Sequence, residues 1–183
     1  MTIKSKTDPS DKDCWQTPLW LFDALDMEFG FWLDAAASDR NALCQKYFTE
    51  ADDSLSQEWK SHGAIWLNPP YSKILPWVEK AADQSAKQHK AVVMLVPEDM
   101  SVGWFSKALQ TVDEVRVITD GRLNFIHSTT GKEQRGNSKG SMLLIWRPFT
   151  APRRVITTVS KQTLMEIGNK VRTSWAESPA AHC

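Results

Sequence analysis

The chain has 183 residues and balances 22 Lys and Arg against 22 Asp and Glu, so its formal net charge is zero. That length implies one domain with a sizeable core, and the neutral balance excludes a protein whose whole surface is a basic field for nucleic acid. Cys14, Cys44 and Cys183 are far apart and odd in number, and no apolar run or export signal stands out, so a disulfide framework, a metal site and a membrane span are all unexpected and a reducing cytoplasm is the simplest compartment.

Residues 1–13 are polar and of mixed charge, and read as a flexible N-terminal tail. Order is expected to begin at Cys14-Trp15-Gln16-Thr17-Pro18, with Thr17 capping a helix and Pro18 at its first position. Leu19, Trp20, Phe22, Ala24, Leu25 and Met27 give that helix an apolar face, and Gly30 stops it. On these grounds alone Trp15 and Thr17 also read as plain helix entry. Phe31-Trp32-Leu33 then forms an apolar strand ending in Asp34, followed by Ala35, Ala36, Ala37 and Ser38. Ligands of open α/β sheets sit outside the carboxyl ends of the strands. Small residues there let a cofactor approach the backbone, and a carboxylate there suits a cationic group or a hydroxyl. A lone strand-end Asp is more often a turn or cap residue, and the glycine-rich dinucleotide fingerprint is missing. A helix is expected to start near Ser38 to Asn41.

Tyr47-Phe48-Thr49 reads as a short strand, and Glu50, Asp52 and Asp53 after it as a solvated acidic loop. Ala64-Ile65-Trp66-Leu67 is a buried strand that runs into Asn68-Pro69-Pro70-Tyr71. Two prolines cannot extend a strand and hold the chain rigid, so a stiff loop presents an amide, two carbonyls and a phenol. Such a loop also serves as a capped turn with Tyr71 in the core. The chemistry it suits is methylation of an aromatic amine, a poor nucleophile whose lone pair is delocalised into its ring. The Asn68 side-chain oxygen and the Pro69 carbonyl can both accept N–H bonds from that amine and aim its lone pair at a methyl donor, which is positioning and transition-state complementarity without a strong base. Tyr71 offers a stacking face for a base taken out of its helix.

Leu75 to Lys90 is patterned as an amphipathic helix, and Ala91 to Val96 is the cleanest buried strand in the chain. Glu98 to Ser101 leads into a helix through Trp104, Phe105 and Leu109, and Asp113 to Thr119 alternates as a strand. Gly121-Arg122 turns the chain into Leu123 to Ile126, and His127 to Gly140 is a loop in which Lys132, Arg135 and Lys139 outweigh Glu133. Ser141 to Trp146 is a last apolar strand. A strand, a long loop and a strand predict an antiparallel hairpin at or near the sheet edge. Beyond it Gln162 to Val171 is expected to be a short helix and Ser174 to Cys183 to fray. The alternation defines a doubly wound α/β domain, with residues 14–150 as the domain and 151–183 as a C-terminal extension. If the strands ending at Asp34 and Asn68 are parallel neighbours, both ends open on one edge.

Taken together, Trp15-Gln16-Thr17-Pro18, Asp34 to Ser38, Asn68 to Tyr71, Val96 to Phe105 and Gly121 to Phe125, in this order, resemble the phage and prophage DNA N-6-adenine methyltransferases over about Trp15 to Pro148. The resemblance implies a Rossmann-like sheet, S-adenosylmethionine as cofactor and double-stranded DNA as partner. It implies catalytic roles for Asn68, Pro69, Pro70 and Tyr71, and cofactor contacts from Trp15, Thr17, Pro18, Asp34, Ala35, Ala36 and Ser38. The first cofactor motif lacks the glycines of many methyltransferases, and the acidic contact to the cofactor's hydroxyls is assigned to Asp53, the better of the Asp52–Asp53 pair. With no room for a large target-recognition domain, DNA contacts fall to Lys132, Arg135 and Lys139, with Arg147 to Arg154 next. The central motif alone is shared with enzymes that methylate glutamine side chains or RNA. A non-catalytic DNA-binding module is the remaining class, and the intact motif weighs against it.

Overall fold

The computed structural model describes residues 15–127, 130–134, 138–149 and 151–177. The expected tail at residues 1–13, Cys14, Cys183 and Arg135 lie outside the described residues. Within them, strands and α-helices follow one another as β1 (Trp15–Gln16), α1 (Leu19–Phe29), β2 (Phe31–Asp34), β3 (Lys46–Tyr47), β4 (Ala64–Leu67), α2 (Ile74–Gln88), β5 (Val92–Pro97), α3 (Gly103–Ala108), β6 (Glu114–Thr119), β7 (Phe125–His127), β8 (Glu133–Gln134), β9 (Ser141–Trp146), β10 (Val155–Ser160) and α4 (Lys161–Ala176).

Seven strands form the central sheet in the order β10-β6-β9-β5-β4-β2-β3, and only β9 runs against its neighbours. This is a mixed α/β fold with a mostly parallel sheet. Both faces of the sheet are covered, which is why its strands read as continuous apolar runs rather than alternating ones. Val92, Met94 and Val96 of β5 point into a core shared with Val78 and Ala81 of α2 and Phe105 of α3. Val93 and Leu95 point into a second core with Leu21 and Leu25 of α1 and Leu164 of α4. Each such buried aliphatic side chain stabilises the fold by roughly 1.5–3 kcal/mol relative to exposure. A small antiparallel sheet, β1-β7-β8, stands apart from the main one.

Several expectations need correction. The last apolar strand is not at an edge: β9 lies between β5 and β6, with Pro97 and Ile118 both in register with Ser141. All six of its residues are buried, and a strand with two apolar faces and two apolar neighbours is stable only inside a sheet. Its antiparallel partner β6 lies next to the edge strand β10, and a further hairpin pairs β7 with β8, the latter inside the segment read as loop. No helix starts at Ser38, because the Asn41 side chain accepts the Ser38 N–H at 2.6 Å and closes a turn. Helix α1 begins at Leu19, one residue late. Pro18 is its cap, and the Pro18 carbonyl accepts the N–H groups of Leu21 and Phe22.

The segment beyond residue 150 carries an unexpected strand, β10, parallel to β6, as well as a longer helix than the sequence pattern implies. Helix α4 lies so close to α1 that a Cβ added at Gly168 would sit 1.9 Å from the Trp20 carbonyl oxygen. At the amino-terminal end of β6, the buried Asp113 accepts hydrogen bonds from Arg153 and Arg147 at 2.9 Å. Arg147 also donates to Glu114, and Arg116 to Glu114 and Glu28. Arg153 first, and then Arg147, hold the Asp113 carboxyl at about 2, well below the usual range.

Candidate active site

After β2 the chain moves outward to β3 and then crosses back to β4 on the other side of β2. Strand order reverses between β2 and β4, and such a reversal opens a crevice at the carboxyl ends of the strands. Asp34 ends β2 in register with Trp66 of β4, and the Ala35 N–H donates to the Trp66 carbonyl at 2.9 Å. The two strand ends picked out in the sequence are therefore side by side. A cavity of about 800 Å³ opens there, between the 35–43 loop, the 48–55 turn and Asn68.

Asp34 is 2% exposed. One carboxylate oxygen accepts the Ala36 N–H at 3.3 Å and the other the Leu43 N–H at 3.2 Å. Burial pushes the carboxyl up to about 6 even though both N–H bonds favour the charged form. Each oxygen keeps capacity for a further donor, so a cation arriving in the cavity meets a charge that the protein alone only partly compensates. The loop behind it is held by a buried polar chain. Ser54 donates from Oγ to the Ala35 carbonyl at 2.6 Å, the Trp59 indole donates to Ser54, and the Gln84 side chain of α2 accepts the Trp59 N–H.

Asn68 follows β4 by one residue. Its Nδ2 donates to the Trp15 carbonyl at 3.3 Å. Trp15 is held in turn by pairing of β1 with β7 and by an edge-on contact with the His127 ring, 5.7 Å between centroids. Tyr71 packs edge-on against Phe125, 6.3 Å between centroids, and its hydroxyl is buried without a hydrogen-bond partner among the described residues. Burial raises its pKa well above the ordinary phenol value. Tyr71, Trp15, Pro97, Phe125 and residues 138–141 line a second cavity of about 150 Å³. Trp15 thus belongs to both cavities and stands between them.

Of the residues singled out in the sequence, Trp15, Thr17, Asp34, Ala35, Ala36, Ser38, Asp53, Asn68 and Pro70 line the larger cavity. Pro69 is buried behind it and Pro18 faces α1. Asp53 reaches the rim with a left-handed backbone (φ 49) and accepts a hydrogen bond from the Ser56 hydroxyl. Asp52 instead caps the turn at Thr49. Trp66, Trp77, Phe48 and Glu50 also line the cavity, although their sequence pattern is that of core or solvated loop. Apolar patterning cannot separate a core face from a cavity wall, and only the strand order does so.

Lys132 is exposed next to β8. Lys139 lines the smaller cavity and is ion-paired with Asp99, while Arg135 lies outside the described residues. Arg147 and Arg153 are tied to Asp113 at the opposite end of the sheet, so they are not alternatives at this site.

An open α/β sheet with a roomy cavity at its reversal point, and an oriented amide on a proline-stiffened rim, is the arrangement of a ligand-binding α/β domain. A sequence model of the DNA N-6-adenine-methyltransferase (Dam) family matches residues 4–171, and the chain belongs to that family. It is 38% identical over 150 residues to the DNA N-6-adenine-methyltransferase of Haemophilus phage HP1 (strain HP1c1), covering 81% of this chain and 86% of the relative. It is 35% identical over 158 residues to the DNA N-6-adenine-methyltransferase of Escherichia phage T1, covering 78% of this chain and 66% of the relative.

Proposed function

We propose that the protein transfers a methyl group from S-adenosylmethionine to N6 of adenine in double-stranded DNA, on a Rossmann-like, doubly wound methyltransferase sheet. The observation that carries this reading is Asn68. Its amide sits on the rim of a cofactor-sized cavity, with a second, aromatic-walled cavity on the far side of Trp15.

S-adenosylmethionine, when bound in the larger cavity, supplies a methyl group on a positively charged sulfur. The residues present suit it. Asp34 offers an under-compensated carboxylate to the cationic methionine end, and Ala35, Ala36 and Ser38 let that end approach the backbone. Trp15, Thr17 and Asp53 line the rest, with Asp53 taking the hydroxyls. The target base, turned out of its duplex, stacks against Tyr71 in the smaller cavity. The Asn68 side-chain oxygen and the Pro69 carbonyl accept the two N–H bonds of its amine, which draws the nitrogen towards a tetrahedral shape and frees its lone pair. Pro69 and Pro70 hold these acceptors without an ordering cost at the moment of binding. The surplus proton leaves to water once the nitrogen is methylated.

Lys132, Arg135 and Lys139 contact phosphates, Lys139 by exchanging Asp99 for DNA. No helix among the described residues is long and apolar enough to cross a membrane, and the proposed place of action is the cytoplasm of a bacterial host.

The test is incubation of the protein with methyl-labelled donor and unmethylated DNA, RNA or glutamine-containing protein, followed by nucleoside and peptide analysis. N6-methyladenine from DNA is expected, with Asn68→Ala slower by about a hundredfold or more, as for loss of one preorganised hydrogen-bonding group. Label in cytosine, RNA or glutamine instead would overturn the substrate assignment.

A further inference from the structure

A backbone carbonyl can only accept a hydrogen bond. With the Trp15 carbonyl 3.3 Å from the end of the Asn68 side chain, the atom facing it must be the amide nitrogen. The amide oxygen is then turned the other way, which is the orientation an acceptor for the target amine requires. The flipped amide would set two acceptors against each other at Trp15 and present an NH₂ to the target NH₂. Trp15 makes this contact from β1, a two-residue strand outside the main sheet, held in register by Trp15 opposite His127 and Gln16 opposite Ile126.

We propose that β1 is a positioning element for the transfer: the Trp15 carbonyl fixes the Asn68 amide so that its oxygen, not its nitrogen, meets the amine. This rests on the amine-methylation reading above and gives Trp15 a role that its side chain does not carry. It also links the β7–β8 hairpin to the reacting group, because β7 holds the strand that holds the amide.

Asn68→Asp tests this, since a carboxylate has no hydrogen to give the Trp15 carbonyl and a protonated carboxyl has one. In the variant the proton sits between the introduced carboxyl and the Trp15 carbonyl, and the other carboxyl oxygen serves as acceptor. The charged or titratable groups that line the two cavities flanking the position are Asp34, Asp39, Arg40, Glu50 and Asp53 on one side and Tyr71 and Lys139 on the other, with His127 packed on Trp15, Glu98 against Gly140 and Asp99 paired with Lys139. All are present in wild type as well, so the quantity read is the ratio of variant to wild-type turnover at saturating S-adenosylmethionine and DNA. That ratio should rise as pH falls, about tenfold per pH unit while the variant carboxyl is mostly ionised. Asn68→Ala, with neither donor nor acceptor, should give a low, flat ratio. A flat ratio for Asn68→Asp, with wild type active, overturns the role of β1 and leaves the functional reading intact. Inactive wild-type protein overturns both.

Side-chain amide exchange in ¹⁵N-labelled wild type does not depend on any variant folding. An Asn68 proton should exchange more slowly than those of the exposed Asn169, by up to about tenfold for one net hydrogen bond. Equal rates would also overturn the proposal.

Discussion

The proposed contact between the donor's cationic end and the buried carboxylate at the end of β2 makes donor binding depend on pH in a calculable way. Burial holds Asp34 at about 6 in the free protein. A cationic ligand group binds the ionised form, so ligand affinity should be constant well above pH 6 and fall as Asp34 takes up its proton. One pH unit below, the ionised fraction is about a tenth, and S-adenosylmethionine should bind about tenfold more weakly at pH 5 than at pH 8. Near pH 6 binding should release about half a proton, visible by calorimetry in buffers of different ionisation enthalpy. The same shift has the opposite effect on the empty protein. The folded-state value lies above the ordinary carboxylate value, so stability is lost as pH rises from about 4 to about 6, by about 3 kcal/mol for this group alone. Asp34→Asn should give a flat binding profile and an affinity at pH 8 reduced by about 1.5–3 kcal/mol, the range for a hydrogen bond to a charged group. A wild-type affinity that does not change between pH 8 and pH 5 would remove Asp34 from the cation's side.

Other expectations follow from single contacts. Gly168→Ala forces a Cβ onto the Trp20 carbonyl, so α4 must shift, and urea unfolding should report a loss of about 1–3 kcal/mol or more. Tyr71→Phe removes a buried hydroxyl that has no partner among the described residues, so the free protein should melt no lower than wild type, with a gain of up to roughly 1–3 kcal/mol. Lys132→Ala should flatten the slope of log DNA affinity against log salt by about 0.9. Arg153→Ala should leave that slope unchanged while lowering stability above about pH 4, a loss that shrinks as pH falls towards 2 and Asp113 takes up its proton, because it acts on Asp113 at the other end of the sheet.

Much of the lining of the candidate site is readable because its residues break local patterns. Asp34 ends an apolar strand with a charge, and Asn68-Pro69-Pro70-Tyr71 stops another with two residues that cannot pair. Small residues after Asp34 likewise signal a close approach, and the cavity runs along them. What stays hidden depends on partners distant in sequence. Val155-Ile156-Thr157-Thr158-Val159-Ser160 is rich in β-branched residues, yet after Pro152, Arg153 and Arg154 nothing local reveals that it completes the sheet beside β6. Ser54 and Trp59 look like an ordinary loop until their hydrogen bonds to Ala35 and Gln84 are seen. The acidic run at residues 50–53 illustrates the same limit, with Asp52 satisfied locally at Thr49 and Asp53 on the rim. Nor does the pattern of Ser141 to Trp146 say between which strands it lies.

The place of β9 also sets an order of assembly. Strands β5 and β6 are not neighbours; each pairs with β9 along the edge that faces the other. During synthesis, therefore, the part that carries Asp34 and Asn68 emerges as a partial sheet and β6 as a strand without either of its neighbours, because β9 and β10 both follow it. Their facing edges stay unpaired until Ser141 to Trp146 leaves the ribosome, and the late β10 and α4 then close the outer flank. At roughly 5–20 residues per second that interval lasts seconds. The hairpin proposed to face DNA is made immediately before the strand that joins β5 to β6, so the site becomes whole only when the sheet does.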